Sequence, residues 1–181
     1  MKTRSPATAW LCSCVLIACT GVSNVQADVK ASGSDGFHIL VERETQVDSQ
    51  TAYGTMVKDF GTWWGGDHSF SGDAKNLSLD LQRRCMLEKL PDGGFVRHME
   101  IVFHQPGKMM VMRGGLGPLQ AMGANGSLIL RFDRLDSGKT KVTLDYHVHG
   151  PSYQKLDNLA KVVDGVLEGQ LDQLIQHLDR K

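Results

Sequence analysis

The sequence predicts an α+β domain in which an antiparallel sheet packs against one long C-terminal helix. From residue 77 to residue 149, short segments of alternating apolar residues are separated by turns rich in Gly and Pro, which is typical of consecutive hairpins. From residue 156 to residue 178, apolar residues recur every three or four positions, which is typical of an amphipathic helix. Its apolar stripe is roughly 34 Å long, so we expect the sheet that covers it to be curved.

Size and composition favour one ordinary globular domain. The chain has 181 residues, of which 41% are hydrophobic, and this is enough for a single substantial core. The 20 basic and 20 acidic residues cancel, so no net charge attracts the protein to nucleic acid or to an anionic membrane surface. We therefore expect no nucleic-acid partner, and we predict a monomer.

Residues 1–27 have the pattern of a signal peptide. Lys2 and Arg4 form a short positive region, residues 10–18 are apolar, and residues 25–27 offer a cleavage site after Ala27. The apolar run is shorter than the roughly 18 residues of a membrane span. We therefore expect the protein to be exported, either to the periplasm or out of the cell.

An alternative interpretation of this region is a lipoprotein signal. Residues 16–19 resemble a lipobox, in which Cys19 becomes the lipidated first residue and tethers the protein to a membrane. A membrane partner is expected only in that case. Cys12 and Cys14 also lie in the leader, so cleavage after Ala27 leaves Cys85 and no intramolecular disulfide. Its apolar-alternating surroundings predict that Cys85 is buried and unreactive.

The ordered domain is predicted to span residues 37–181. Residues 28–36 are small and polar, which is typical of a flexible N-terminal segment. Alternation of apolar and polar residues predicts a strand over 38–47. Apolar residues at helical spacing predict a short helix over 51–60, which ends at Gly61.

Six further strands are predicted after a Trp-rich loop. Each ends at recognisable turn residues, because Gly supplies positive φ and Pro presets the first turn position. Together with the first strand they make an antiparallel sheet of about seven strands, and the long helix follows them. The predicted strands cover residues 77–81, 84–90, 95–104, 109–113, 127–133 and 139–149.

Several short motifs, taken in their order, carry a resemblance to a known family. They are Trp63-Trp64, Asp67-His68-Ser69-Phe70-Ser71-Gly72-Asp73, Asn76-Leu77-Ser78-Leu79, Leu90-Pro91-Asp92-Gly93-Gly94, the run from Gly114 to Gln120, and Val163-Asp164-Gly165-Val166-Leu167. They resemble bacterial members of the SRPBCC superfamily, which includes START-like and polyketide cyclase-like proteins. The resemblance covers residues 37–178. It implies the helix-grip fold, in which a curved sheet closes on the C-terminal helix around a deep, largely apolar cavity.

The resemblance also implies a range of functions. Members of this superfamily commonly bind lipids, sterols, polyketides or other hydrophobic small molecules, and a minority catalyse cyclisation or related steps in the cavity. Some cytosolic relatives activate a heat-shock chaperone, which an exported protein cannot meet. The Gly-rich run at 114–117 lacks the Gly-Lys-Ser/Thr ending of a phosphate-binding loop, so no nucleotide cofactor is expected.

The Trp-rich loop supplies the first candidate ligand-binding residues. Trp63 and Trp64 are adjacent, so their side chains cannot face the same way, and one of them is expected to line the cavity mouth. The sequence does not decide which. His68 is a third candidate, whereas Asp67 and Asp73 are interpreted as turn residues. Because no third member of a catalytic triad can be named, no catalytic residue is predicted.

The Gly-rich segment over 114–126 is predicted to form a mobile flap between two strands. Apolar side chains on this flap can close over an apolar guest, and flexible methionines in the central strands suit an adaptable cavity. Arg113, Gln120 and Tyr146 can each hold one ligand oxygen. The complete set of candidate ligand-binding residues is Trp63, Trp64, His68, Met99, Met112, Arg113, Leu116, Leu119, Gln120, Tyr146, Val163 and Leu167.

Histidines on two predicted strands have a spacing that is compatible with metal binding. His147 and His149 lie two residues apart on one strand, and His98 shares a face with Glu100 on another. The residues that alternate with His147 and His149 are apolar and form the expected buried set. We therefore expect the histidines on a solvated outer face, with no metal and no cofactor.

These patterns predict an exported protein that holds a hydrophobic small molecule between the sheet and the C-terminal helix. The ligand is expected to be lipid-, sterol- or polyketide-like. The alternative is an enzyme of the cyclase or aromatase kind, which uses a His, Asp or Arg of the same cavity as an acid-base or orienting group.

Overall fold

The structure is a computed structural model, and it describes residues 28–180. The strands are β1 (Asp28–Gly33), β2 (Gly36–Thr45), β3 (Leu77–Asp80), β4 (Cys85–Lys89), β5 (Phe95–Gln105), β6 (Met109–Arg113), β7 (Asn125–Arg134) and β8 (Thr140–His149). The helices are α1 (Ser49–Lys58), α2 (Phe60–Trp63), α3 (Pro118–Ala121) and α4 (Asp157–Asp179), and short 3₁₀ turns cover Gly66–His68, Ala74–Asn76 and Ser152–Gln154. The predicted signal peptide and Cys19 lie outside the described residues.

All eight strands form one antiparallel sheet in the order β1-β2-β8-β7-β6-β5-β4-β3. Every neighbouring pair except β2 and β8 is also consecutive in sequence, which confirms the predicted series of hairpins. The β2–β8 pairing joins the two ends of the domain, and α4 packs against β1, β2 and α2. A curved antiparallel sheet closed on its C-terminal helix is the predicted helix-grip fold.

Strand β1 lies in the segment that was predicted to be flexible, and that prediction is wrong for residues 28–33. The segment pairs with β2, with Asp28 opposite Leu40 and Gly33 opposite Gly36. An edge strand of this kind is held by backbone hydrogen bonds, which any residue type can make. Val29 packs against the core as a half-buried side chain. A small, polar sequence therefore gives little signal for the strand that it forms.

The inner face of the sheet and one stripe of α4 form the core. Ile39 and Val41 of β2 are fully buried against the inner stripe of the helix, in which Leu167, Leu171 and Leu174 are the central residues. The rim of this packing is polar and charged. The Nε of Arg43 in β2 donates to Asp172 of α4 at 2.6 Å, and a terminal nitrogen of its guanidinium donates to Glu168 at 2.9 Å.

The short helical region after β2 is divided into α1 and α2, where one helix over 51–60 was predicted. The Asp48 carboxylate caps α1 by accepting hydrogen bonds from the backbone N–H groups of Gln50 and Thr51, each at 3.1 Å. The backbone of Asp59 leaves the helical region and ends α1. The chain then forms one turn of α2, which ends at Trp63 and so fixes the two tryptophans at the inner edge of the sheet.

Two further features of the described chain bear on the sequence predictions. Cys85 is buried and free, as predicted. Among residues 28–180, no helix has an apolar stretch long enough to cross a bilayer.

Candidate ligand-binding cleft

A cleft of about 400 Å³ opens beside the N-terminal half of α4. Three parts of the chain form most of its wall: the turn that follows α2, the loop that joins β6 to β7, and α4 itself. Mostly apolar side chains with a few polar groups are the usual composition of a small-molecule site. The apolar lining side chains are Trp64, Phe70, Met86, Leu116, Pro118, Leu119, Leu159, Val162, Val163, Val166 and Leu167.

The two tryptophans take different places, and this answers the question that the sequence leaves open. Trp64 lines the cleft, whereas Trp63 is buried in the core with its Nε1 donating to the backbone oxygen of Met56 at 3.0 Å. The separation arises because Trp63 ends α2 and the backbone of Trp64 is extended. Phe60 stacks against the Trp64 ring at a centroid distance of 5.0 Å and holds it in place.

Behind Trp64, side chains fill the space between the sheet and α4. The void there measures about 10 Å³, and the walls of this void include Trp63, Met112 and Leu171. Trp64 and Met86 belong to the wall of this void and also to the wall of the cleft, so these two side chains lie between the void and the cleft. The deep cavity that the resemblance implied is therefore replaced by a cleft at one end of the fold.

The turn between α2 and β3 is held by a hydrogen bond to α4 and by a cap within the turn itself. The side-chain oxygen of Gln170, a buried residue of α4, accepts a hydrogen bond from the backbone N–H of Gly65 at 2.7 Å. Asp73 caps the following 3₁₀ turn by accepting from the backbone N–H of Lys75 at 3.0 Å, as expected for a turn residue. His68 lines the cleft from this turn and is exposed at its mouth.

The loop between β6 and β7 is the segment that was predicted to be a flap, and it contains the short helix α3. Gly117 begins this helix with φ of 53°, a left-handed conformation that favours glycine. The backbone N–H of Leu116 donates to the phenolic oxygen of Tyr146 at 3.2 Å. Burial raises the pKa of Tyr146 to about 12, so the phenol remains protonated. This contact holds the loop over the cleft.

A buried histidine of the cleft wall, His98, contacts a buried glutamate, Glu88, that does not itself line the cleft. The Nε2 of His98 lies 2.8 Å from Oε2 of Glu88, and the backbone N–H of Ser71 donates to Oε1 of Glu88 at 2.5 Å. His98 is 3% exposed and Glu88 is 0% exposed. Burial acts to raise the pKa of Glu88, but the hydrogen bonds from Ser71 and His98 outweigh it and leave this pKa below its ordinary value.

The position of His98 corrects the prediction that it faces solvent. Strands β4 and β5 pair Met86 with Met99 and Leu87 with Arg97, so His98 is an extra residue in a β-bulge. The bulge interrupts the alternation of β5, and both His98 and Met99 are buried as a result. The imidazole then lines the cleft, and the ring of Phe70 stacks on it at 5.8 Å.

A second cluster of histidine and carboxylate lies on the outer face of the sheet. The Nε2 atoms of His38 and His147 lie 2.9 Å and 3.0 Å from Oδ1 of Asp145, and Arg131 donates to Oδ2 at 2.9 Å. Partial burial acts to raise the pKa of Asp145, but these hydrogen bonds and charges outweigh it and lower this pKa. His147 thus lies on the outer face of the sheet, as predicted.

The outer cluster brings three metal-ligating side chains together, but its geometry favours a hydrogen-bonded network. The rings of His38 and His147 are stacked, with centroids 3.9 Å apart and planes inclined by 13°. Both Nε2 atoms contact the same carboxylate oxygen, Oδ1 of Asp145, so each imidazole donates its Nε2 proton there and has no lone pair on that nitrogen for an ion. The guanidinium of Arg131 also pairs with the Asp145 carboxylate and neutralises the negative charge that would attract a metal cation.

Half of the residues predicted to bind ligand lie at the cleft. Trp64, His68, Leu116, Leu119, Val163 and Leu167 line it, and their role in binding stays a prediction. The others lie elsewhere: Trp63, Met99, Met112 and Tyr146 are buried in the core, Arg113 is exposed, and Gln120 is exposed with its amide nitrogen donating to the backbone oxygen of Arg97 at 3.0 Å.

Several residues of the cleft wall are not among the predicted ligand-binding residues, and they differ in how far the sequence indicates them. Leu159 and Val166 are one helical turn from Val163, so the apolar stripe of α4 contained enough information to include them, whereas Val162 directly precedes Val163 and is 64% exposed. Phe70 is 60% exposed, and its neighbours in sequence give no sign that it covers His98. His98 itself depends on a bulge that the alternation pattern does not show.

Comparison with solved structures finds proteins of the same fold. The chain matches an uncharacterised protein from Rhizobium leguminosarum with 17% identity and a TM-score of 0.56, over 81% of this chain and 97% of that one. It matches the di-domain ARO/CYC protein StfQ of the steffimycin biosynthetic pathway with 12% identity and a TM-score of 0.57, over 81% of this chain and 52% of StfQ. It also matches DynU16, from the dynemicin biosynthetic locus, with 14% identity and a TM-score of 0.54, over 78% of this chain and 46% of DynU16.

These similarities show the fold alone, because each identity is far below the level at which function is shared. The chain spans about half the length of StfQ and of DynU16. No protein-family model and no curated protein sequence matches the chain.

Proposed function

We propose that the protein is an exported member of the SRPBCC superfamily that binds a hydrophobic small molecule in the cleft beside α4. The observation that carries this proposal is a cleft of about 400 Å³ with a mostly apolar wall. Sites of roughly 300 to 1,000 Å³ are usual for small-molecule ligands. The cleft is at the lower end of this range and suits a compact ligand, such as a small polyketide-like ring system, better than a sterol or a long acyl chain.

The rim of the cleft supports the same proposal. Phe70 and Val162 are 60% and 64% exposed, and both line the cleft. Isolated exposed apolar side chains are common, but two at the mouth of one apolar cleft offer additional surface for a ligand to cover. The expected driving force is the removal of apolar surface from water, at about 25 cal/mol for each Å².

The proposal has two parts that rest on the sequence. Export follows from the signal-peptide pattern of residues 1–27, with a lipid anchor at Cys19 as the alternative. We further propose that the protein acts as a monomer and binds no nucleic acid, since its charges balance.

Filling the cleft tests the proposal. Val163→Trp places an indole in the cleft from α4, so the protein is expected to lose at least tenfold in affinity for an apolar fluorescent dye such as 1-anilinonaphthalene-8-sulfonate. Lys161→Trp is the matched control, because it adds the same ring to the exposed surface of the same helix outside the cleft lining. Equal dye binding by the wild type and both variants would show that the cleft is not the binding site.

Native mass spectrometry of the protein purified from its own cell envelope identifies the natural ligand. We expect a co-purified small-molecule mass that the Val163→Trp variant has lost and that the Lys161→Trp variant retains. A retained protein chain in place of a small molecule would favour a protein-interaction role.

A cyclase or aromatase-like enzyme is the second candidate, and His98 of the cleft wall, which the buried Glu88 contacts, favours it. A histidine held by a carboxylate is a common acid-base arrangement. The test is turnover of a poly-β-keto aromatic precursor by the wild type. Turnover that is lost when His98 is replaced would support catalysis. A substrate that binds in the cleft and is recovered unchanged would favour the binding role.

A further inference from the structure

Few polar side chains line the cleft, and His98 is one of them. Among the lining residues of the described chain, Asp67 and His68 are exposed at the mouth, and the hydroxyl of Ser69 donates to the backbone oxygen of Gly66 at 2.7 Å. Among the described lining residues, two buried side chains carry a polar atom: Trp64, whose Nε1–H has no hydrogen-bond partner, and His98, whose imidazole is held by Glu88. The indole N–H can only donate a hydrogen bond, so His98 is the buried side chain of this wall that can accept one from a ligand.

The hydrogen bonds of Glu88 determine which ring nitrogen of His98 carries a proton. Oε1 of the carboxylate accepts from the backbone N–H of Ser71, and Oε2 lies 2.8 Å from Nε2 of His98. An ionised carboxylate only accepts hydrogen bonds, so Nε2 must be the donor. In the neutral imidazole, Nδ1 is then an acceptor. Within residues 28–180, Nδ1 of His98 has no hydrogen-bond partner.

Stability alone does not account for a buried pair of this kind. Removing a carboxylate and an imidazole from water is costly, and replacing such a pair with apolar residues of similar volume is often neutral or stabilising. Here the pair is supported from three parts of the chain: Glu88 in β4, His98 in the bulge of β5, and the backbone of Ser71 in the turn after α2. The arrangement fixes the orientation of the imidazole at the cleft wall.

We propose that Nδ1 of His98 accepts a hydrogen bond from a hydroxyl group of the ligand, and that the cleft therefore selects compact apolar ring systems that carry a hydroxyl group, such as phenols. This inference rests on the proposed binding function and defines its ligand class. Glu88 is a positioning residue that sets the tautomer, and His98 makes the contact. An ether or an unsubstituted hydrocarbon of the same shape leaves the acceptor unpaired and binds less tightly.

The test compares two probes of similar shape, 2-naphthol and 2-methoxynaphthalene, by isothermal titration calorimetry. The hydroxyl probe can donate a hydrogen bond and the methoxy probe cannot. We expect the wild type to bind 2-naphthol about fivefold to tenfold more tightly, the preference that one hydrogen bond of ordinary strength provides. Equal affinities for the two probes would overturn the inference while leaving the binding function standing. No binding of either probe, together with unchanged dye binding by Val163→Trp, would instead overturn the proposed function.

Two variants separate a directed contact from a structural role. In Glu88→Gln the amide oxygen is expected to take the place of Oε1 and accept the hydrogen bond from the backbone N–H of Ser71. The amide nitrogen then takes the place of Oε2, faces Nε2 of His98 and donates a hydrogen bond to it. The ring proton then moves to Nδ1, which becomes a donor. The preference for 2-naphthol is expected to fall below twofold or to reverse in favour of the methoxy probe. A preference that stays at the wild-type value in this variant would contradict the proposed tautomer.

The second variant, Glu88→Leu/His98→Leu, removes both partners and avoids an unpaired buried charge. It is expected to bind both probes with equal affinity, and a retained preference for 2-naphthol would overturn the role of His98. His177→Asn is the matched control. It disrupts another histidine–carboxylate contact, in which Nε2 of His177 lies 3.0 Å from Asp59, and neither residue lines the cleft. This control is expected to keep the wild-type preference.

Discussion

Within residues 28–180, one histidine–carboxylate cluster lies on each face of the sheet, and the two clusters differ chiefly in their access to water. In the inner cluster, His98 and Glu88 have side chains that are 3% and 0% exposed. In the outer cluster, His38, Asp145 and His147 have side chains that are 28%, 13% and 52% exposed. The distances between nitrogen and oxygen are nearly the same, at 2.8 Å inside and 2.9 to 3.0 Å outside.

Because of this difference in exposure, the same residue types are held more rigidly in the inner cluster than in the outer one. The outer carboxylate is shared by two imidazoles and a guanidinium, and solvent can replace any one of them. The inner carboxylate is enclosed and accepts hydrogen bonds from neighbouring groups of the protein, among them Ser71 and His98. The inner imidazole is therefore held in one orientation beside an apolar cleft, which a solvated histidine is not.

Removing one imidazole from each cluster is expected to give the largest contrast. His98→Ala leaves the Glu88 carboxylate buried without its imidazole partner and is expected to lower the free energy of unfolding by about 3 kcal/mol. His147→Ala removes a half-exposed ring and is expected to lower it by less than about 1 kcal/mol. Urea unfolding followed by circular dichroism measures both values. Equal losses would show that burial does not distinguish the two clusters.

Acidification is expected to affect the two clusters in the same direction. The native pKa values of Glu88 and Asp145 are both below their ordinary values, because their hydrogen bonds and neighbouring charges outweigh the effect of burial. Each ionised carboxylate thus contributes stability that is complete above its unfolded pKa of about 4. This stability is lost as the pH falls through the lower native pKa.

Urea unfolding between about pH 7 and pH 3 checks this prediction. Glu88→Gln and Asp145→Asn each remove one titrating group, so each variant is expected to lose less stability than the wild type below about pH 4.5. A steeper loss in either variant would mean that the native pKa of that carboxyl is raised rather than lowered.

Much of the fold is predictable from the sequence, because its signals are local. Strands β2 to β8 and α4 end within about two residues of their predicted bounds, since Gly and Pro mark the turns and since apolar spacing marks the helix. Strand β1 was missed because backbone hydrogen bonds to β2 hold it and its side chains carry almost no apolar pattern.

The candidate site was less predictable, because it depends on features that alternation does not encode. A single bulge moves His98 from the predicted outer face to the inner one. The end of α2, one residue before Trp64, decides which indole reaches the cleft. The partner of His98 is Glu88, ten residues away on the neighbouring strand, and only the bulged register of β4 and β5 brings them together.

Zinc binding is expected to give the smallest effect, and it tests whether the outer cluster is more than a hydrogen-bonded network. We expect no heat in a calorimetric titration with zinc at micromolar concentration. Nε2 of His38 and of His147 each donate to the Asp145 carboxylate, and Arg131 neutralises the charge of that carboxylate. Saturable binding that disappears in His147→Asn and Asp145→Asn but persists in Glu88→Gln would contradict this expectation. It would make the outer cluster a metal site, and the contrast between the two faces would then be one between two binding sites.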